Sequence, residues 1–142
     1  MSRRRIIIWS FVAIATLFSL SLFFYSQNFR PSADTVADQL AAARSTFEAK
    51  NYKEAAGKYR AIAATEPDNV EVHQYWVLSQ LNQHHYQEAV TIGQDFMQRN
   101  PPFTAEFLVV YANALRLTDN QDAAKTIYEQ AREKVPNHPT AT

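Results

Sequence analysis

One sentence of sequence is written three times in this chain of 142 residues. It reads NYKEAAGKYRAIAATEPD at 51–68, HYQEAVTIGQDFMQRNP at 85–101 and NQDAAKTIYEQAREKVPN at 120–137. Each copy is a turn, a short amphipathic helix and a proline that stops it. Ala55, Ala89 and Ala124 stand 34 and 35 residues apart, and Pro67, Pro101 and Pro136 keep the same spacing. A period of this size belongs to stacked helical hairpins, in which no unit can bury its apolar face alone. The predicted fold class is therefore all-α, a helical solenoid of about three helix-turn-helix repeats over residues 35–142.

Local chemistry places the helices. The first helix is predicted from about Asp34 to Ala49, with Leu40, Ala43 and Phe47 on one face at intervals of three and four. Asn51 is expected to cap the next helix in a capping box with Glu54, and Ala55, Tyr59, Ile62 and Ala63 form its apolar face. Pro67 removes an amide donor and disfavours helix at Glu66, so the unit ends there. Asp68 with Glu71 is the next predicted box, followed by Val72, Tyr75, Trp76, Leu78 and Leu81 as the apolar positions. The fourth helix carries Ala89, Val90, Phe96 and Met97. Thr104 is the predicted cap of the fifth, which carries Phe107, Leu108, Tyr111, Ala112 and Leu115. The sixth carries Ala124, Ile127, Tyr128 and Ala131. One extra residue after Pro101 is assigned to the turn holding Pro102.

The first thirty residues have a different character. Arg3, Arg4 and Arg5 precede Ile6–Tyr25, twenty residues without a charge. A helix of that length is roughly 30 Å long, the thickness of a hydrocarbon core. Its polar members are hydroxyls, and Trp9 and Tyr25 stand near its ends, where amphipathic rings prefer the interface. The chain is thus divided into a basic flank (1–5), a transmembrane anchor (6–25), a polar linker (26–34) and the solenoid. The arginines place the N-terminus in the cytoplasm and the solenoid outside it, facing the periplasm from a bacterial inner membrane. A cleaved signal peptide is the main rival, but SQNFRP follows the apolar run where a small-x-small cleavage site would be needed. Ser10, Ala13, Ala15, Ser19 and Ser21 would let another membrane helix approach closely.

The repeats resemble the tetratricopeptide repeat family in three copies over about Val36–Asn137. Ala55, Ala89 and Ala124 match the small residue of its helix B, and Ala43, Val77 and Ala112 the small site of its helix A. Tyr59 and Tyr128 match the helix B aromatic, Tyr52 and Tyr86 the aromatic that opens helix B, and the three prolines the end of the unit. Gly93 stands where the second repeat should carry its aromatic. Phe96 and Met97 are expected to refill that space; the alternative is that Gly93 admits another backbone. Ala42 and Thr46 replace large residues in the first helix, which predicts thin packing there. After Pro136 only NHPTAT remains, so the last helix pair is expected to meet another chain or a second copy unless Thr126, Glu129 and Glu133 keep it wet.

The resemblance implies that helices A line the concave face, where a partner peptide or helical segment would lie. That places Arg44, Gln74, Tyr75, Leu78, Asn82, Val109 and Asn113 on a candidate partner-binding groove. Only Asn113 and Arg44 could serve a clamp for a terminal carboxylate, so an apolar or helical segment is the better fit.

Chemistry of other kinds has little to work with. Removing Arg3, Arg4 and Arg5 leaves 11 basic and 14 acidic residues, a net charge of −3, which carries no footprint for nucleic acid. Without cysteine there is no disulfide framework, thiolate site or cysteine nucleophile. Glycine occurs only at Gly57 and Gly93, so there is no phosphate loop. His84 and His85 read as a solvated turn, with Glu88 too little to complete a metal site, and Glu129 and Glu133 as an exposed helix face. Neither catalysis, a metal nor a cofactor is expected. The chain is read as a membrane-anchored scaffold or assembly factor that binds protein, or else as a fixed subunit of a membrane complex held by its anchor.

Overall fold

The computed structural model describes residues 35–135. The basic flank, the predicted anchor with Ser10, Ala13, Ala15, Ser19 and Ser21, the linker and residues 136–142 lie outside the described residues. Six α-helices and no strand occur among the described residues: α1 (Val36–Glu48), α2 (Tyr52–Thr65), α3 (Val70–Asn82), α4 (Tyr86–Gln98), α5 (Ala105–Leu117) and α6 (Gln121–Glu133). Each packs on the next, and α3 packs also on α5, an arrangement of helical hairpins in succession. No helix among the described residues is long and apolar enough to cross a membrane.

The turn inside each hairpin is the same device. Lys50, His84 and Asp119 each adopt a left-handed conformation with φ of 62°. Each donates to the carbonyl three residues back (Lys50 to Phe47, 2.9 Å; His84 to Leu81, 3.0 Å; Asp119 to Arg116, 3.3 Å). The following residue donates five back (Asn51 to Thr46, 3.2 Å; His85 to Gln80, 2.9 Å; Asn120 to Leu115, 3.0 Å). This is a Schellman closure, which satisfies carbonyls that the helix end would otherwise leave bare. Glycine is the usual occupant of the left-handed position and is absent from all three. The scarcity of glycine thus reflects tight turns built from costlier residues. Lys50→Gly is expected to raise stability by about 0.5–1 kcal/mol, the left-handed penalty relieved less the extra entropy of glycine in the unfolded chain. A higher urea midpoint at unchanged slope would show it.

Two predicted caps differ from the structure. Asn51 begins α2 with ψ of 68°, and its side chain accepts from no helical amide. Its Nδ2 instead donates to Glu54 Oε2 at 2.6 Å. The tight turn has already committed its backbone amide to Thr46, so the reciprocal box cannot form. Before α3 the cap is Asn69, not Asp68: Asn69 Oδ1 accepts from the Val72 amide at 3.3 Å. Thr104 caps α5 as predicted, its Oγ1 accepting from the Phe107 amide at 3.2 Å. The extra residue falls in the connection between α4 and α5, with Pro102 exposed.

The core forms two connected clusters. The first joins Ala43, Ala55, Tyr59, Ile62, Ala63 and Val72, with Phe47 and Tyr75 against it. Ala43 is the one residue that α1 buries fully, which is the thin packing that Ala42 and Thr46 imply. The second centres on Phe96, Phe107, Leu108 and Tyr111, and half-buried Trp76 packs against both clusters. In α3 the buried residues are Val72, His73, Val77, Ser79 and Gln80, whereas Tyr75, Trp76, Leu78 and Leu81 are only half buried. A helix packed against α2, α4 and α5 has no single buried stripe. Its polar members carry partners, as burial requires. Ser79 Oγ donates to the Tyr75 carbonyl at 2.7 Å, Gln80 Oε1 accepts from Gln83 Nε2 at 3.2 Å, and His73 Nδ1 meets the Asn69 carbonyl at 3.0 Å.

Gly93 meets neither of its expected neighbours. A Cβ there would lie 2.3 Å from Cδ2 of Tyr111. The space is filled by the ring of the following α5, not by Phe96 or Met97 and not by another backbone. The missing aromatic of helix B is thus supplied from the next helix A.

Tyr59 presents the opposite case. Its ring is fully buried and stacks on Tyr75 at 5.6 Å, yet its hydroxyl is the one buried side-chain polar atom without a partner among the described residues. Burial pushes its pKa up to about 12. Tyr59→Phe removes an unsatisfied donor and is expected to stabilise the fold by about 1 kcal/mol. Because the folded pKa is raised above the ordinary 10, the wild type loses stability as pH rises from 10 towards 12, where the unfolded chain releases a proton the folded chain keeps. Urea titrations at pH 9 and pH 11 should show a smaller loss in Tyr59→Phe.

Candidate partner-binding face

Helices α1, α3 and α5 are the first helices of their hairpins, and the predicted groove residues are distributed over all three. Helical spacing gives two columns of neighbours: Gln74, Leu78 and Asn82 along α3, and Val109 and Asn113 along α5. Gln74 and Val109 occupy the same place in successive repeats, as do Leu78 and Asn113, and α3 packs on α5. On α1, Arg44 holds the same place as Leu78 and reaches across to α3, where its guanidinium pairs with the Glu71 carboxylate. That pair is solvent-exposed on both sides, so its net worth is small. The carboxylate raises the Arg44 pKa further, through a hydrogen bond first and charge second, and keeps the guanidinium engaged.

The seven residues divide by what already holds them. Tyr75 is half buried, stacked on Tyr59 and set edge-on to Phe47 at 5.2 Å, so it serves the first core as much as the surface. Asn113 Oδ1 accepts from the Tyr128 hydroxyl at 2.6 Å, a bond that ties α5 to α6. Asn82 is exposed, and its Nδ2 donates to the Leu78 carbonyl at 2.8 Å, closing the end of α3. With Arg44 paired and Asn113 bonded, neither residue is available unchanged as a carboxylate clamp. The remaining three, Gln74, Leu78 and Val109, make the open part of the face. Val109 is 41% exposed, one of the three large apolar side chains exposed among the described residues. This part is apolar with one amide, a chemistry suited to the apolar side of a helix or extended segment.

Sequence reasoning missed two ties that shape this face. The Asn113–Tyr128 bond and the Gly93–Tyr111 contact both join residues 15–18 positions apart in the chain. The aromatic position of helix B carried the signal: Tyr59, Gly93 and Tyr128 each stand fifteen residues after Arg44, Leu78 and Asn113. Where the aromatic is a tyrosine with a polar partner opposite, a bond could have been drawn.

The histidine pair behaves as a turn. His84 Nδ1 lies 2.7 Å from the Tyr86 hydroxyl, and His85 lies 3.8 Å from Glu88 across exposed surface. No group of three or more His, Cys, Asp or Glu among the described residues is close enough to hold a metal ion. Glu129 and Glu133 are exposed on α6, together with Thr126. That helix buries Ala124 and Ala131 and turns polar residues outward, so it makes its own wet edge.

No protein-family model matches the chain, and no curated protein matches it in sequence.

Proposed function

We propose that this protein is a membrane-anchored interaction scaffold of the tetratricopeptide type, held by residues 6–25 with its repeats outside the cytoplasm. It serves assembly of a membrane or envelope complex by binding a helical or apolar segment of another protein. What supports this reading is α3 packed on α5, with half-buried Leu78 and exposed Val109 at matching helical positions on the two helices. Exposed apolar side chains set between ordered helices are the kind of surface that protein partners cover. The polar outer surface of α6 favours this face over the end of the array as the contact, so a second copy against α6 is the lesser expectation.

The test is recovery of partners from membranes in mild detergent, comparing the wild type with Leu78→Glu and Val109→Glu. A charge in the middle of an apolar contact is expected to reduce recovery of the bound partner about tenfold or more, with the helical content unchanged. If both variants keep the partner while leucines at Ser10, Ala13, Ser19 and Ser21 release it, the chain is instead a fixed subunit held through its anchor. A reporter fused after Thr142 that is active only in the cytoplasm would overturn the proposed orientation.

A further inference from the structure

His73 and Trp76 point away from Gln74 and Leu78 on α3, by about half a turn. They floor a cleft of 310 Å³ between α2 and α4. Both of those helices pack on α3, but Ala63 and Ala64 are too small to close the gap above it. The volume is near the lower end of ligand-binding clefts, which run from roughly 300 to 1,000 Å³. It is room for one large side chain.

The floor is aromatic and rigid. His73 is 6% exposed, and its ring stacks on Phe96 at 4.0 Å and 11°. Because a carbonyl can only accept, the contact to the Asn69 carbonyl puts the proton on Nδ1 and fixes the ring orientation. Burial lowers the His73 pKa and outweighs the hydrogen bond to the Asn69 carbonyl, which raises it, while the opposite charges of Arg99 and Asp68 act as smaller causes, so the floor is neutral at physiological pH. Trp76 completes it with a half-buried indole.

The rim is charged. Arg60 from α2 and Arg99 from α4 line the same cleft from opposite walls. Neither guanidinium makes a hydrogen bond or ion pair with a described residue, unlike that of Arg44, which is held by Glu71. Asp95 is the one carboxylate on the rim and also pairs with neither arginine. The rim therefore has a net positive charge, two unengaged guanidinium groups suited to a carboxylate, and one acceptor for a backbone amide.

We propose that this cleft is a second docking site, separate from the α3–α5 face. It takes an aromatic side chain of a partner protein segment against Trp76, above the buried His73–Phe96 stack, while Arg60 and Arg99 hold a carboxylate next to it in that segment. An acidic-aromatic motif is the chemistry that both halves of the cleft require together.

The test uses the full chain in detergent micelles with Trp9→Phe, which leaves Trp76 as the only tryptophan. Its emission is followed while acetyl-Gly-Phe-Asp-Gly-amide is added. A saturable change is expected, weakened about tenfold when the peptide carries Asn for Asp or Ala for Phe. Arg60→Gln with Arg99→Gln should give the same loss, and Ala64→Phe, an exposed site on the cleft wall, should abolish binding. Leu78→Glu should leave it unchanged. Circular dichroism of each variant separates loss of binding from loss of fold. No saturable change, equal binding of the Asn peptide, or full affinity in the double arginine variant would overturn the proposal. So would weakened binding in Leu78→Glu, or phenylacetate binding as tightly as the peptide, which would reassign the cleft to a small carboxylate.

Discussion

Phe96→Ala is expected to cost about 3–5 kcal/mol, among the largest losses from a single truncation at a described residue. The ring is fully buried and lies where three helices meet. It stacks on His73 of α3 at 4.0 Å and stands edge-on to Phe107 of α5 at 4.9 Å and to Phe103 at 5.8 Å. The cavity left behind cannot collapse easily. His73 is tied to the Asn69 carbonyl, and Phe107 is pinned by its neighbour Tyr111 at 6.3 Å and by the capped start of α5. Urea denaturation of residues 26–142, followed by circular dichroism, measures the loss; a value below about 1.5 kcal/mol would mean that α4 and α5 close the gap.

The same variant has a signature in pH. Burial holds the His73 pKa below the ordinary 6.5. A depressed histidine means that the unfolded chain binds the proton first, so stability is complete above pH 6.5 and falls as the pH drops below it. Removing the ring that covers His73 lets the imidazole charge in the folded state. The acid loss of stability is then expected to be shallower in Phe96→Ala than in the wild type.

Gly93→Tyr restores the aromatic that the repeat pattern asks for, and it is expected to destabilise the fold by about 3 kcal/mol. Even a Cβ at position 93 would lie 2.3 Å from one ring atom of Tyr111 and 2.8 Å from another. The gain in helix propensity over glycine, up to about 1 kcal/mol, is smaller than the overpacking it brings. Tyr111→Ala alone removes a ring that is 7% exposed and should cost about 3 kcal/mol as well. Together the two changes move the aromatic from α5 back to α4, and the double variant is expected to lose clearly less than the sum of the single losses. A coupling of at least about 1.5 kcal/mol in that cycle would establish that one volume is shared. Additive losses would show that the two sites do not compete for it.

Much of the architecture was legible because it depends on local chemistry repeated at a fixed spacing. Pro67 and the apolar positions at intervals of three and four placed the first helix, expected over about 34–49 and found at Val36–Glu48, and the end of α2 at Thr65 within two residues of where they lie. Thr104 was legible as a cap because a hydroxyl in extended backbone reaches the third amide without help from elsewhere. Asp68 was not, because Asn69 stands next to it and only the path of the chain into α3 decides which carboxyl or amide oxygen faces Val72. For the candidate face, helical spacing sets Gln74, Leu78 and Asn82 in one row of α3 and Val109 and Asn113 in one row of α5. It could not show that Tyr75 is drawn into the first core or that Asn113 is bonded to Tyr128, since both depend on which neighbouring helix stands opposite.

Sequence alone thus determined the number and order of these helices, because capping, proline and periodic burial act within a few residues. Only the tertiary structure decided which side chain fills each gap between them. Gly93 is the clearest case. Its lack of a side chain leaves a space, and several neighbours could have entered it. The packing of α5 against α4 gave that space to Tyr111. The left-handed turns at Lys50, His84 and Asp119 follow the same logic. Asp and His tolerate positive φ better than Lys does, yet all three residues adopt it alike, because each hairpin folds back on itself over three residues.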